Sequence, residues 1–265
     1  MSTSDDAGRI HALDGLRGLM AGMVLVHHFS VGLGYTGFAS AAHYSVCGFF
    51  TLSGYVLTRS WDGDFGVFLL RRFIRLWPVY AICLALGYAL AGAPVVWSQF
   101  FWWPLLTPNS TPQIDPPVWS LCVEAWAMLF MPLIVRAKGN IPLACAIMIV
   151  SLAASRWEPH FWFGQLFAIG AVLSKWSWRN RFLESAVPQW LGRVSYSLYL
   201  SHWLVFATAE RAFGAVGLIA SLPVVFTIGW ALWRWVELPG VRFSRTVAKL
   251  TKRDRRASGA LVGSA

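Results

Sequence analysis

The order of basic residues along this 265-residue chain constrains its fold most. They fall between apolar runs at roughly 13–33, 42–58, 76–96, 118–135, 141–156, 161–174, 190–208 and 214–235. Each run reads as a helix crossing lipid, although the second, fifth and sixth are short for the ~20 residues a crossing needs. Place the N-terminus in the cytoplasm and alternate sides. Then all but two of the 22 Lys and Arg, Arg156 and Arg211, lie on the cytoplasmic side. Such a bias is the signature of positive-inside orientation. An odd number of crossings would break it. The expectation is an all-α polytopic transmembrane bundle of about eight spans, N-in and C-in, in the plasma (inner) membrane.

Composition agrees. Only 13% of residues are charged and 57% are hydrophobic. A water-soluble domain carries about twice that charged fraction. The net charge of +10 is then an orientation signal, and no nucleic-acid partner is expected. The four cysteines sit in or near apolar runs without a CxxC pair, which predicts small buried thiols and no metal site. One membrane domain is expected over 1–241. A basic cytoplasmic tail, surface-bound or disordered, is expected over 242–265.

The first span holds an unusual pair. Arg17 and His28 are eleven residues apart, within about 20° of three full turns, so they share a helix face about 16 Å apart. His28 falls near mid-membrane, and His27 is turned about 100° away. An ionisable group at that depth faces the bundle interior or a wet cavity. Two roles fit His28: an interhelical hydrogen bond, or a general base that takes a proton from a nucleophile.

Other polar groups recur at helical spacing. Arg71, Arg72 and Arg75 precede the third span, and Arg71 and Arg75 are one turn apart. They serve either topology or an anionic ligand, because guanidinium forks suit phosphates. Glu124 is a lone carboxylate inside the fourth span. Ser195, Tyr199 and His202 form a polar stripe on an otherwise apolar helix. The loop from Trp97 to Pro117 carries Trp102, Trp103, Gln113 and Asp115, and its aromatics suit an interfacial belt or stacking on sugar rings. Ser53 reads as small-residue packing, with no evident base partner. Glu237 reads as an ion-pair partner for a neighbouring arginine.

Six blocks, in order, carry a family resemblance: LDGLRGLMAGMVLVHHF (13–29), FFTLSGYVL (49–57), RRFIRLWPVY (71–80), VWSLCVEAWAMLFMP (118–132), LGRVSYSLYLSHW (191–203) and VELPGVR (236–242). The chain resembles the acyltransferase family 3 membrane proteins, which include O-antigen and Nod-factor O-acetyltransferases. The resemblance implies transfer of an acyl group, often acetyl, from cytoplasmic acyl-CoA to a hydroxyl of a carbohydrate or glycolipid at the outer face. It implies His28, Arg17 and Glu124 as catalytic candidates and Arg71, Arg72 and Arg75 as donor-binding residues. Asp115, Trp119, Tyr199 and His202 are candidates for acceptor binding. Acyl-CoA enters as donor substrate and no metal is expected. The rival expectations are a transporter or flippase of a lipid-linked sugar, and an inactive member acting as a membrane partner.

Overall fold

The computed structural model describes residues 10–101 and 114–262. Trp102, Trp103 and Gln113 lie outside the described residues. Among the described residues every regular element is helical. The first helices are α1 (His11–Gly32), α2 (Ala39–Ser60), α3 (Phe65–Ala91) and the single turn α4 (Ser98–Phe101). A 3₁₀ turn, Pro116–Val118, leads into α5 (Trp119–Leu129) and α6 (Met131–Arg136). Then come α7 (Ile141–Ala154), a 3₁₀ turn Pro159–Phe163, α8 (Gly164–Leu173) and α9 (Ala186–Ala220). Last are α10 (Leu222–Leu232), a π-helical turn Trp233–Glu237 and α11 (Leu238–Val262).

Two of these helices, Phe65–Ala91 and Ala186–Ala220, are long and apolar enough to cross a membrane by length and composition. The surface supports a lipid setting further. In α7 only Ala144 is buried, while Ile149 and Val150 are 67% and 66% exposed. A helix that is apolar all round and still uncovered has no stable place in water.

Local chemistry explains the boundaries. The Asp64 carboxylate accepts from the Val67 amide at 3.0 Å and starts α3. Gly92, with φ +60°, ends it in the left-handed conformation. The run 118–135 is not one helix. It breaks at Phe130, just before Pro132, which cannot donate a helical hydrogen bond. Gly214, at φ +59° and ψ −148°, breaks α9 where the eighth span was expected to begin. The chain then turns at Ser221, and the helix runs without interruption from Leu222 through the π turn to Val262. Residues 242–262 are therefore part of a helix that begins inside the bundle. Of the thiols, Cys83 and Cys122 are buried, Cys47 is half-buried, and Cys145 is exposed, against expectation for the last two. Cys145 is exposed because α7 lies at the edge of the bundle.

Backbone-to-backbone contacts at glycines lock the helices in pairs. A Cβ on Gly18 would sit 2.5 Å from the Gly192 amide nitrogen, and one on Gly192 would sit 2.1 Å from the Asp14 carbonyl oxygen. The α2–α8 pair repeats the device: a Cβ on Gly54 would meet the Phe167 carbonyl oxygen at 2.3 Å, and one on Gly170 the Thr51 oxygen at 2.0 Å. Small residues permit this approach in lipid, where helix association rests on packing. Gly192→Val is expected to force α1 from α9, and overpacking of this kind typically costs about 1–3 kcal/mol. The check is a loss of monodisperse protein in detergent by size exclusion, with Gly22→Ala, which meets nothing within 4 Å, as the neutral control.

Candidate active site

Helix α1 delivers Arg17 and His28 to one side, and its glycine contacts press it against α9. There His28 meets His202. The His28 Nδ1 and His202 Nε2 atoms are 2.8 Å apart, and the rings stack at 5.0 Å between centroids with a 21° tilt. The other nitrogen of His202, Nδ1, lies 2.6 Å from the Tyr199 carbonyl oxygen. A carbonyl can only accept, so His202 carries its proton on Nδ1. In the neutral ring Nε2 is then an acceptor, and His28 must donate to it from Nδ1. That assignment leaves Nε2 of His28 as a bare lone pair. His202 is fully buried, while His28 is partly open, with Trp203 edge-on at 5.4 Å. His27 makes no such contact: its Nδ1 is buried without a hydrogen-bond partner among the described residues.

A cavity of about 100 Å³, which neither histidine lines, comes nearest to the pair at Tyr199. Its charged lining is Arg17, Arg72, Arg75 and Glu124, and its polar lining includes Ser53, Ser120 and Tyr199. Arg72 donates to Ser60 Oγ at 3.3 Å, and Arg17 lies 3.5 Å from Asp14. The Nε–H of Arg75 is buried with no partner among the described residues. A buried guanidinium N–H without a partner is uncommon, and it leaves Arg75 with hydrogen-bonding capacity that the protein itself does not use. Glu237, on the π turn, accepts from Ser197 Oγ at 2.8 Å and lies in electrostatic range of Arg75 and Arg17. Among the described residues the expected ion pair of Glu237 with an arginine is not formed; Ser197 is its hydrogen-bond partner instead.

The structure redistributes several candidates. Arg71 does not line the cavity; it pairs with Asp62 at 3.3 Å in the α2–α3 connection, and Arg17 completes the arginine set instead. Glu124 joins the arginine end of the cavity rather than the histidine pair, and it accepts from Ser53 Oγ at 3.3 Å. Ser53, expected as packing only, therefore has a carboxylate partner. Tyr199 lines the cavity, and its hydroxyl lies 3.0 Å from Ser120 Oγ. Its ring is also 5.8 Å from that of His202, so the residue serves both compartments.

Two acceptor candidates stand apart from the cavity. Trp119 packs against Phe50, His160 and Phe163 at 6.1, 5.4 and 5.4 Å between ring centroids. Asp115 is 1% exposed, and neither carboxylate oxygen has a hydrogen-bond partner among the described residues. Among the described residues no cluster of three metal-binding side chains occurs. Ser120 escaped notice in the sequence, yet it sits one helical turn before Glu124, a spacing that could have found it.

A family model described as an acyltransferase domain matches residues 10–163, more than half of the chain. The match contains Arg17, His28, the three arginines and Glu124, whereas His202 and Tyr199 lie beyond it. No curated protein matches the chain. No solved structure matches it either. With the cavity arginines and the α1 histidine inside the matched segment, the chain belongs to acyltransferase family 3, a family of membrane proteins that transfer acyl groups.

Proposed function

We propose that this protein is a multi-pass plasma-membrane O-acyltransferase. It moves an acyl group, acetyl in the simplest case, from cytoplasmic acyl-CoA to a hydroxyl of a carbohydrate or glycolipid at the outer face. The observation that carries the reading is the hydrogen-bond chain from the Tyr199 carbonyl through His202 to His28, beside a cavity lined by three arginines. The charge pattern supports N-in and C-in orientation, with the arginine end facing the donor. Residues 1–241 form the membrane domain in this reading, and 242–265 extend from it on the cytoplasmic side.

The chemistry follows from the tautomer. Arg17, Arg72 and Arg75 hold the phosphates of the donor, and Glu124 with Ser53 balances their charge. The pantetheine arm passes Tyr199 toward α1. His28 Nε2 takes the proton from the acceptor hydroxyl as its oxygen attacks the thioester carbonyl. The tetrahedral intermediate collapses by breaking the C–S bond, and Nε2–H returns the proton to the leaving thiolate. His202 does not exchange that proton. It holds the His28 ring and stabilises the positive charge that forms on it. Asp115 and Trp119 lie nearer the acceptor side.

Two measurements together test the reading. Purified protein should release free CoA from acetyl-CoA only when an acceptor is present. Surface glycans and lipids from cells lacking the gene should lose one acyl mass. Movement of a lipid-linked sugar without CoA release would favour the transporter reading instead.

A further inference from the structure

Pro78 inside α3 has no amide proton, so the Ile74 carbonyl loses its helical partner. Gly240 fills that position: a Cβ there would lie 3.0 Å from the Ile74 oxygen. The π turn and Pro239 carry α11 to this point and then away, which leaves an open notch of about 410 Å³ between the helices. Phe73, Trp77, Pro78, Val236, Pro239 and Phe243 line it, and no charged side chain does so among the described residues. The indole N–H of Trp77 is already used, at 2.8 Å from the Phe100 carbonyl.

Beyond the notch, α11 is two-faced. Phe243 and Leu250 are 59% and 54% exposed, on one side of the helix. Arg242, Arg245 and Lys249 are exposed on an adjacent strip about 60° wide. Ser244 is buried on the side packed against the protein. The sequence continues with Lys252, Arg253, Arg255 and Arg256 against a single Asp254. An uncharged apolar notch beside a basic strip is complementary to a molecule with an apolar chain and an anionic head. A second copy fits poorly, because two-fold pairing would bring the basic strips together.

We propose that the α3–α11 notch binds one anionic phospholipid, its acyl chain along Phe73, Trp77 and Phe243 and its phosphate on the Arg242–Lys249 strip. The inference needs a membrane setting but not the acyl-transfer reading. The test is native mass spectrometry of the full chain, purified in detergent and mixed with equal amounts of phosphatidylglycerol and phosphatidylcholine. The wild type should retain phosphatidylglycerol in preference. The double variant R242Q/K249Q should retain roughly tenfold to thirtyfold less of it with phosphatidylcholine unchanged, since each basic side chain near an anionic head contributes about fivefold. F243S should lower retention of both lipids. Size exclusion shows that each variant remains folded, and acetyl-CoA turnover measured alongside separates lipid binding from catalysis. Equal retention of the two lipids by the wild type, an unchanged preference in R242Q/K249Q, or a dimer that F243S splits would each overturn the proposal.

Discussion

His28→Ala should abolish acyl transfer in protein that still folds and still binds donor. Loss of a positioned general base costs about 10²–10⁴-fold in rate. His27→Ala should be far milder, although the two residues share chemistry and depth. The difference lies in their contacts: His28 is held at 2.8 Å by His202, whereas His27 makes no side-chain hydrogen bond among the described residues. His202→Phe sharpens the test. It keeps the base but removes the acceptor that holds its proton on Nδ1, so either tautomer can form and roughly tenfold or more of the rate should disappear. The measurement is turnover per folded molecule for the three variants, with binding of a CoA analogue as control. A merely packing histidine would lower the folded yield and leave specific activity alone. Full specific activity in His28→Ala would remove the proposed base.

Arg72→Ala and Arg75→Ala, made singly, should each weaken CoA binding by roughly ten- to a hundredfold, because a charge-assisted contact to phosphate is worth about 1.5–3 kcal/mol. Arg71→Ala should change it little, since Arg71 is turned to Asp62 and lies outside the cavity. Calorimetric titration of CoA into detergent-purified variants checks both statements. Equal losses for Arg71 and Arg75 would mean that the donor binds across the mouth of the bundle and not in the cavity.

The contrast between those arginines shows what could be read from the sequence and what could not. Helical spacing placed Arg17 and His28 on one face and drew Ser195, Tyr199 and His202 into a stripe, because such relations lie within one helix. The same logic paired Arg71 with Arg75, correctly as geometry, but it could not foresee that Asp62, nine residues earlier in a connection, would capture Arg71. The meeting of His28 with His202 spans 174 residues, and that of Ser53 with Glu124 spans 71. No local pattern encodes such meetings; they depend on which helices pack together. Gly18 and Gly192 decide the first of them, and each glycine alone reads only as a small residue. The helical state of 242–262 was also hidden, since a basic, polar composition describes an exposed helix and an unfolded tail equally well.

Helix α1 runs from His11 to Gly32 without a kink and is fastened along α9. Arg17 and His28 therefore cannot approach one another. Eleven residues of helix make a ruler of about 16 Å between the guanidinium end and the imidazole. With Arg17 on the donor phosphates and His28 as base, the roles proposed above, a donor must be long enough to be gripped at one end while it reacts at the other. A short acyl thioester without a phosphate-bearing handle would reach either mark but not both, so in the proposed reading the spacing selects donors by length before any side chain reads the acyl group.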